Sequence, residues 1–146
     1  MGIDTQALRA GSELEGGQVH DREDIDDIGG TSRDVAHVRW GSSWRMPTLE
    51  EFKELIDNCD WKWTTRNGVS GYRVTGKNGN SIFLPAAGWR FGTSLKYAGE
   101  YVYYWSSTPY GSDTQLAYYL IFNGGSHDWF CYDRYYGQSV LPVSEF

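Results

Sequence analysis

The segment Met46-Pro47-Thr48-Leu49-Glu50-Glu51-Phe52 constrains the fold more than any other, because it predicts a helix that begins immediately after Thr48. Thr48 and Glu51 have the spacing of a capping box, in which each side chain bonds a free amide at the helix start. Apolar residues then recur on one helix face up to an expected end near Asn58: Leu49, Phe52, Leu55 and Ile56. This stripe could fill a partner's groove, but packing on the protein's own sheet is favoured, since a lone amphipathic helix needs a second layer.

A shorter helix is predicted before this one, over residues 33–39. Ser32 is its expected N-cap, and Gly41 follows its end. Val35 and Val38 are three residues apart, so both are expected to face inward.

After the second helix the apolar pattern becomes that of strands. Asn78-Gly79 is a strong hairpin signal between residues 71–75 and 81–84. Residues 117–122 alternate, which predicts one core face and one outward face: Tyr118, Leu120 and Phe122 inward, Tyr119 and Ile121 outward. A last strand is predicted over residues 139–143. The order of elements predicts an α+β fold, with helices first and antiparallel strands after them.

Composition and charge narrow the classes of function. Aromatic residues make up 16% of the 146 residues, and there are 18 Gly, which favours strands, turns and aromatic surfaces. The net charge of −6, without a basic stretch, predicts no nucleic-acid partner. No apolar run approaches the ~20 residues that span a bilayer, so no membrane insertion is expected. Residues 1–30 are predicted to form an acidic flexible arm or linker.

Metal-binding and catalytic patterns are weak. Asp24, Asp26 and Asp27 resemble the start of a calcium loop, but Ile28 occupies a ligand position and no Glu closes the loop, so no metal site or cofactor is predicted. The three histidines form no triad pattern with Ser and Asp.

The two cysteines, Cys59 and Cys131, lack the spacing of a metal site. A disulfide between them stays open, although two independent thiols are favoured because a chain of this length needs no covalent staple.

Six motifs occur in an order that resembles one family: Asp34-Val35-Ala36, Trp40-Gly41, Trp44-Arg45-Met46-Pro47-Thr48, Phe83-Leu84-Pro85-Ala86-Ala87-Gly88-Trp89-Arg90, Tyr104-Trp105-Ser106-Ser107-Thr108 and Gly137-Gln138-Ser139-Val140. Together they resemble bacterial domains with the C-type lectin fold of formylglycine-generating enzymes. The greatest likeness is to the variable proteins of diversity-generating retroelements, which include phage tropism determinants. The resemblance covers residues 31–146 and implies a C-type-lectin-like fold, with two helices and a twisted antiparallel sheet with long loops.

In those variable proteins, reverse transcription from a template RNA randomises adenines near the 3′ end of the gene, mostly in Asn codons. The lectin fold displays the changed residues on one face. The resemblance implies a variable ligand-binding segment here at about residues 110–136, with Trp129 held inward beside the predicted core residues. The implied displayed positions are Tyr110, Leu116, Tyr119, Ile121, Ser126, Asp128, Phe130, Cys131, Tyr132, Asp133, Tyr135 and Tyr136.

The residue types of this segment agree with such a history. The Asn codons are AAC and AAT, and changing their first two bases never yields a codon for Lys, Glu, Gln, Met or Trp. Residues 116–136 contain no Lys, Glu, Gln or Met, and only Trp129 falls outside the accessible set. A strand-rich segment would avoid Lys and Glu in any case.

The resemblance implies a binding protein, not an enzyme. Its expected partner is a protein or cell-surface receptor, its expected place a virion or bacterial surface, and an oligomer is compatible with it. The alternative is an invariant adhesin or carbohydrate-binding module of the same fold, although the Glu-Pro-Asn, Gln-Pro-Asp and Trp-Asn-Asp motifs of calcium-dependent lectins are missing. Formylglycine-generating enzymes use a close pair of cysteines, and neither Cys59 nor Cys131 has that context.

The chain departs from the family pattern in two places. Leu141 stands where relatives commonly carry Arg in Gly-x-Ser-Val-Arg-Pro-Val, which puts the local packing in doubt. The region before Asp34-Val35-Ala36 is also shorter than in many relatives.

Overall fold

The computed structural model describes residues 27–111 and 113–144, apart from the side chain of Thr114. Within these ranges the chain forms two helices, α1 (Val35–Trp40) and α2 (Leu49–Asn58). The strands are β1 (Trp44–Arg45), β2 (Asp60–Arg66), β3 (Val69–Thr75), β4 (Ser81–Pro85), β5 (Trp89–Phe91), β6 (Ser94–Lys96), β7 (Tyr101–Tyr110), β8 (Asp113–Asn123), β9 (Ser126–Asp133) and β10 (Val143–Ser144).

The strands form several antiparallel sheets instead of the one twisted sheet expected. Two sheets have three strands, in the orders β2-β3-β4 and β7-β8-β9. Two have two strands, β1 with β10 and β5 with β6. Within the described ranges the fold is therefore α+β, as predicted, with two helices and separate antiparallel sheets.

Strand β2 was not predicted, although its sequence carries two signals for it. Trp61 and Trp63 alternate with polar residues, and Asn67-Gly68 lies between β2 and β3 with positive φ at both residues (51° and 79°). An Asn-Gly pair with this geometry is a favoured two-residue hairpin turn.

Helix α2 confirms the capping box. The amide of Glu51 donates to Thr48 Oγ1 at 3.2 Å, and the amide of Thr48 donates to Glu51 Oε2 at 2.9 Å. Leu49 and Phe52 are buried, and the helix ends at Asn58 as expected. The helix packs against β7, β8 and β9, so its apolar stripe does contribute to the core.

The main core lies between α2 and the two three-stranded sheets, and its largest fully buried side chains are Phe52, Leu84, Tyr104, Leu120, Phe122 and Leu141. Leu141 thus answers the doubt about packing where relatives carry Arg, because it places an apolar side chain in this core. The predicted final strand is only partly present. Ser139 pairs with the edge of β7, whereas β10 begins at Val143.

The first helix corrects two predictions. Its N-cap is Asp34, not Ser32, and Val38 is exposed instead of facing inward. Asp34 is fully buried, and its two carboxylate oxygens accept four backbone N–H groups, from Gly30, Ala36, His37 and Met46, at 2.8–3.2 Å. The carboxylate therefore links the start of α1 to Met46, which follows β1 and precedes α2.

Part of the predicted flexible arm is bound to the domain. The amide of Ile28 donates to the carbonyl of Ser107, and Thr108 Oγ1 donates to a carboxylate oxygen of Asp27 at 2.9 Å. Residues 27 and 28 therefore contact the end of β7, and the domain boundary expected at residue 31 stays a prediction. Residues 1–26, including Asp24 and Asp26 of the rejected calcium loop, lie outside the described residues.

Replacing Glu51 with Gln is expected to destabilise the fold by about 1–2 kcal/mol at neutral pH. Glu51 bonds both Arg45 guanidinium nitrogens, at 2.7 and 2.8 Å. Its hydrogen bond with Arg45 outweighs desolvation and lowers its pKa below the ordinary value near 4.5. A lowered folded pKa adds stability above the unfolded pKa, and that stability is lost as the pH falls through the folded pKa.

The difference in unfolding free energy between the wild type and Glu51→Gln, measured by urea denaturation, should therefore shrink steadily below about pH 4.5. Glu50→Gln is the matched control, since Glu50 forms an exposed pair with Lys53. A difference that stays constant from neutral to acid pH would contradict the assigned ion pair.

Candidate functional site

The sheet β7-β8-β9 has two faces, and the pairing register assigns each residue of the predicted segment to one of them. Residues directly opposite each other in an antiparallel pair place their side chains on the same face. Leu120 and Phe122 face α2 and the core, together with their partners Trp129 and His127. Tyr119 and Ile121 lie on the outer face, together with their partners on β9.

Tyr119 lies on the outer face but is not displayed, which corrects its predicted exposure. It is only 6% exposed, and its ring centroid lies 5.8 Å from the ring centroids of both Tyr103 and Trp105 on β7. Burial, with smaller effects of Tyr103, Tyr132 and Cys131, raises the pKa of Tyr119 to about 12. The outer face therefore has an aromatic packing layer of its own.

Aromatic rings lie at the end of this layer, and all of them are exposed except the half-buried Trp89 and Tyr136. We call them the aromatic surface: Trp89, Phe91, Phe130, Tyr132, Tyr135 and Tyr136. Tyr136 is at its centre, with ring centroids 4.4 Å from Tyr135, 4.8 Å from Tyr132, 4.9 Å from Trp89 and 5.6 Å from Phe91. Phe130 follows on the same face of β9 and is 62% exposed.

Several predicted positions meet in the aromatic surface. Tyr132 and Tyr135 are 45% and 51% exposed, whereas Tyr136 is half-buried among its neighbours. The hydroxyl of Tyr135 donates to that of Tyr136 at 3.2 Å. A hydrogen bond with Tyr136 raises the pKa of Tyr132, and a hydrogen bond with Tyr135 raises the pKa of Tyr136 against an opposing effect of Tyr132.

The backbone beneath the aromatic surface is fixed by hydrogen bonds that involve no exposed side chain. Arg90 and Gly137 exchange both backbone hydrogen bonds, at 2.6 and 2.8 Å. The indole of Trp105 donates to the carbonyl of Tyr136 at 3.2 Å. Residues 137–139 are thereby joined to β5 and to the edge of β7, which leaves the rings free to differ while the chain path stays the same.

Phe91 was missed by the sequence interpretation, although it is 55% exposed and contacts both Tyr135 and Tyr136. It lies on the β5–β6 hairpin, 19 residues before Tyr110, where the predicted segment begins, and 44 residues before Tyr135. The Phe91-Gly92-Thr93 sequence does carry a turn signal. Only the pairing of Arg90 with Gly137 brings that hairpin beside Tyr135.

Other predicted positions lie on the opposite, helix-facing side of the sheet. Leu116, Cys131 and Asp133 belong to that face by register, and Tyr110 contacts Tyr118 there at 5.4 Å. Trp129 also lies on this side, as predicted, but it is 37% exposed and therefore not buried in the core. Its ring is covered by the ammonium of Lys53 at 5.0 Å.

The remaining predicted positions lie at the far end of the outer face. Ile121 is partly buried on β8, opposite the exposed Asp128. Asp128 Oδ1 accepts the amide of Trp129 at 2.8 Å, and Ser126 bonds Asn123 in the turn between β8 and β9. These positions adjoin the aromatic surface through Phe130.

The thiols are poorly placed for nucleophilic chemistry. Cys59 and Cys131 are both free. Burial, followed by nearby Asp60 for Cys59 and Asp113 for Cys131, raises both pKa values. A raised pKa keeps a thiol protonated at neutral pH, and the protonated thiol is a weak nucleophile.

The described residues lack both a cluster of metal ligands and a membrane-spanning helix. No group of three or more metal-ligating side chains (His, Cys, Asp or Glu) lies close together among them. None of the helices in residues 27–111 and 113–144 has the length and apolar character needed to span a membrane.

No protein-family model matches this chain, and searches of curated proteins and of solved structures found no match either.

Proposed function

We propose that this chain is a ligand-binding protein that displays a retroelement-diversified C-terminal surface on a C-type-lectin-like scaffold. Its ligand is a protein or cell-surface receptor, and it acts at a virion or bacterial surface. It binds and does not catalyse, in keeping with protonated, separate thiols. The lectin-like identity rests on the ordered motifs of the sequence, with which two helices and antiparallel sheets are compatible.

The observation that carries the proposal is the aromatic surface. Monomeric proteins rarely expose a contiguous apolar patch unless something binds it. Tyr is also favoured in antibody loops, because it offers a large contact area at low entropic cost and carries a hydroxyl. Three Tyr and two Phe meet here, and four of these five side chains are 45–62% exposed.

The way the surface is supported agrees with diversification. Phe130 and Tyr132 lie on an outer strand, and their backbone is held through β8. Tyr135 and Tyr136 precede a segment bonded to β5 and β7. Side chains can therefore change here without removing the hydrogen bonds that define the fold, which is the property a displayed variable site requires.

The gene region tests the proposal. A diversified protein requires a near-repeat of the coding segment for residues 116–136 and an adjacent reverse transcriptase gene, with mismatches at adenines of the template. Flanking DNA without both elements would overturn diversification. Calcium-dependent binding on a glycan array would instead favour an invariant carbohydrate-binding module.

The double substitution Tyr132→Ser and Tyr135→Ser is expected to cost about 1 kcal/mol or less, because exposed side chains contribute little to stability. Tyr119→Ser, on the same face but buried, should cost about 3 kcal/mol. Unfolding free energies from urea denaturation provide the comparison. Equal losses in the two variants would show that the aromatic surface is a structural core and would remove the main support for the proposal.

A further inference from the structure

We infer that two copies of this chain pair through β9, edge to edge and antiparallel, to form a six-stranded sheet with both aromatic surfaces on one side. This inference goes beyond the proposed ligand binding, although two residues of the aromatic surface, Phe130 and Tyr132, also take part in the pairing.

The first observation is the unpaired edge of β9. The sheet order is β7-β8-β9, and no strand within residues 27–111 or 113–144 pairs with the outer side of β9, where the Asp133 carbonyl accepts the Tyr136 amide at 3.3 Å. The amide of Trp129 bonds the carboxylate of Asp128, and the amide of Arg134 bonds Gln115 on β8. Because ladder groups alternate, the amides of His127, Trp129, Cys131 and Asp133 point away from β8.

The second observation is that this edge lacks most of the features that prevent pairing. Strand β9 has eight residues without Lys, Pro or a bulge. Natural edge strands are commonly short, bulged or carry such residues. Apolar rings flank both of its faces, Phe130 on one and Trp129 on the other. A second strand would cover apolar surface on both sides while satisfying the outward backbone groups.

The third observation is that β9 is complementary to itself in one register. With a two-fold axis at Phe130, each Phe130 meets that of the second copy. His127 then lies opposite Asp133 of the other copy, and the Asp128 carboxylate lies opposite the Tyr132 hydroxyl. An axis at Trp129 pairs His127 with Cys131, and it leaves Asp128 opposite Phe130 and Asp133 opposite Gly125, without polar side-chain partners.

Pairing requires local exchanges at three groups: the Trp129 amide, the Tyr132 hydroxyl that now bonds Tyr136, and the Asp133 carbonyl that now accepts the Tyr136 amide at 3.3 Å. The Asp128 carboxylate must release the Trp129 amide, now bonded at 2.8 Å, and accept the Tyr132 hydroxyl of the second copy. The amide then bonds the carbonyl of Cys131 across the interface. The product doubles the aromatic surface, so that a multivalent receptor can engage both halves at once.

Sedimentation velocity over about a hundred-fold range of protein concentration tests the pairing. The wild type should reach twice the 16.6 kDa chain mass at the upper end. Phe130→Lys places two ammonium groups opposite each other and should weaken dimerisation by at least about tenfold. Phe91→Lys is the control, since Phe91 is similarly exposed on the aromatic surface but lies off the edge. A wild type that stays monomeric, or equal effects of the two substitutions, would overturn the inference.

Cross-linking tests the register. In a background of Cys59→Ser and Cys131→Ser, Phe130→Cys should form a disulfide-linked dimer under mild oxidation, because directly opposed residues lie about 4.5–5.5 Å apart between Cα atoms. Asp128→Cys should not form this disulfide, because residue 128 lies opposite residue 132 of the second copy. The two residues 128 are then about four residues apart along the strands, or about 13 Å. Equal cross-linking of the two variants would refute this register. Neither test uses a ligand, so failure of dimerisation leaves the proposed binding function to be judged by the gene region.

Discussion

Replacing Asp34 with Ala is expected to destabilise the protein by about 3–5 kcal/mol, because it removes a buried charge that is satisfied only by the backbone. The two carboxylate oxygens accept four N–H groups from three separate parts of the chain. Without the carboxylate the buried amides of Ala36 and Met46 and the part-buried amides of Gly30 and His37 lose their acceptor. Each buried donor left unsatisfied costs about 1–3 kcal/mol. The loss is less than the simple sum, since the loop around Gly30 can reach water.

The isosteric change Asp34→Asn is expected to cost nearly as much, and it separates hydrogen bonding from packing. Each oxygen accepts two amides, so the Asn NH₂ group would face two N–H donors in either orientation. Urea denaturation of both variants provides the measurement. Asp57→Asn on the exposed side of α2 is the matched control and should stay within about 0.5 kcal/mol of the wild type. An Asn variant as stable as the wild type would contradict the role assigned to the carboxylate.

Gly88→Ala is expected to cost about 3–4 kcal/mol and to displace the β5–β6 hairpin that carries Trp89 and Phe91. Gly88 has φ +67°, and a Cβ atom there would overlap the carbonyl oxygen of Lys96 and lie 2.8 Å from the amide of Ala98. Both groups belong to the backbone, so no side chain can move aside.

Gly92→Ala provides a matched control, because Gly92 also has a positive φ, +56°, but nothing lies within 4 Å of an added Cβ. It should cost only about 1–2 kcal/mol from backbone strain. Unfolding free energies measure the difference, and near-ultraviolet circular dichroism reports the environment of Trp89. Equal losses at the two positions would show that the close approach of Gly88 to Lys96 does not contribute to stability.

Asp34 and Val38 show which features of helix α1 can be predicted from the sequence and which cannot. The start of α1 was predicted within two residues, but Ser32 and Asp34 are both good N-caps, and propensity does not choose between them. The choice was made by the amides of Gly30 and Met46, which only the folded chain brings to the same carboxylate. Val38 is predicted to face inward because it lies three residues after Val35, but this spacing alone does not say which face of the helix packs on the domain. In the structure α1 packs so that Val38 is exposed to solvent.

In the candidate site, too, the local pattern predicts the faces of a strand but not which residues are buried. Alternation along β8 correctly separated Leu120 and Phe122 from Tyr119, because the period of a strand is a local property. Which face is exposed is not local. Tyr119 is buried because Tyr103 and Trp105 of β7 cover it, and Phe91 joins the aromatic surface because Arg90 pairs with Gly137.

By itself, the sequence determined the capped helix α2, the Asn78-Gly79 hairpin and the two faces of β8, since each depends on hydrogen bonds or periodicity within about ten residues. Only the tertiary structure decided that residues 27–30 bind the domain, that Tyr119 is buried against Tyr103 and Trp105, and that Phe91 joins the aromatic surface. The physical reason is that burial depends on which segments pack together, and residues far apart in the chain make that choice jointly.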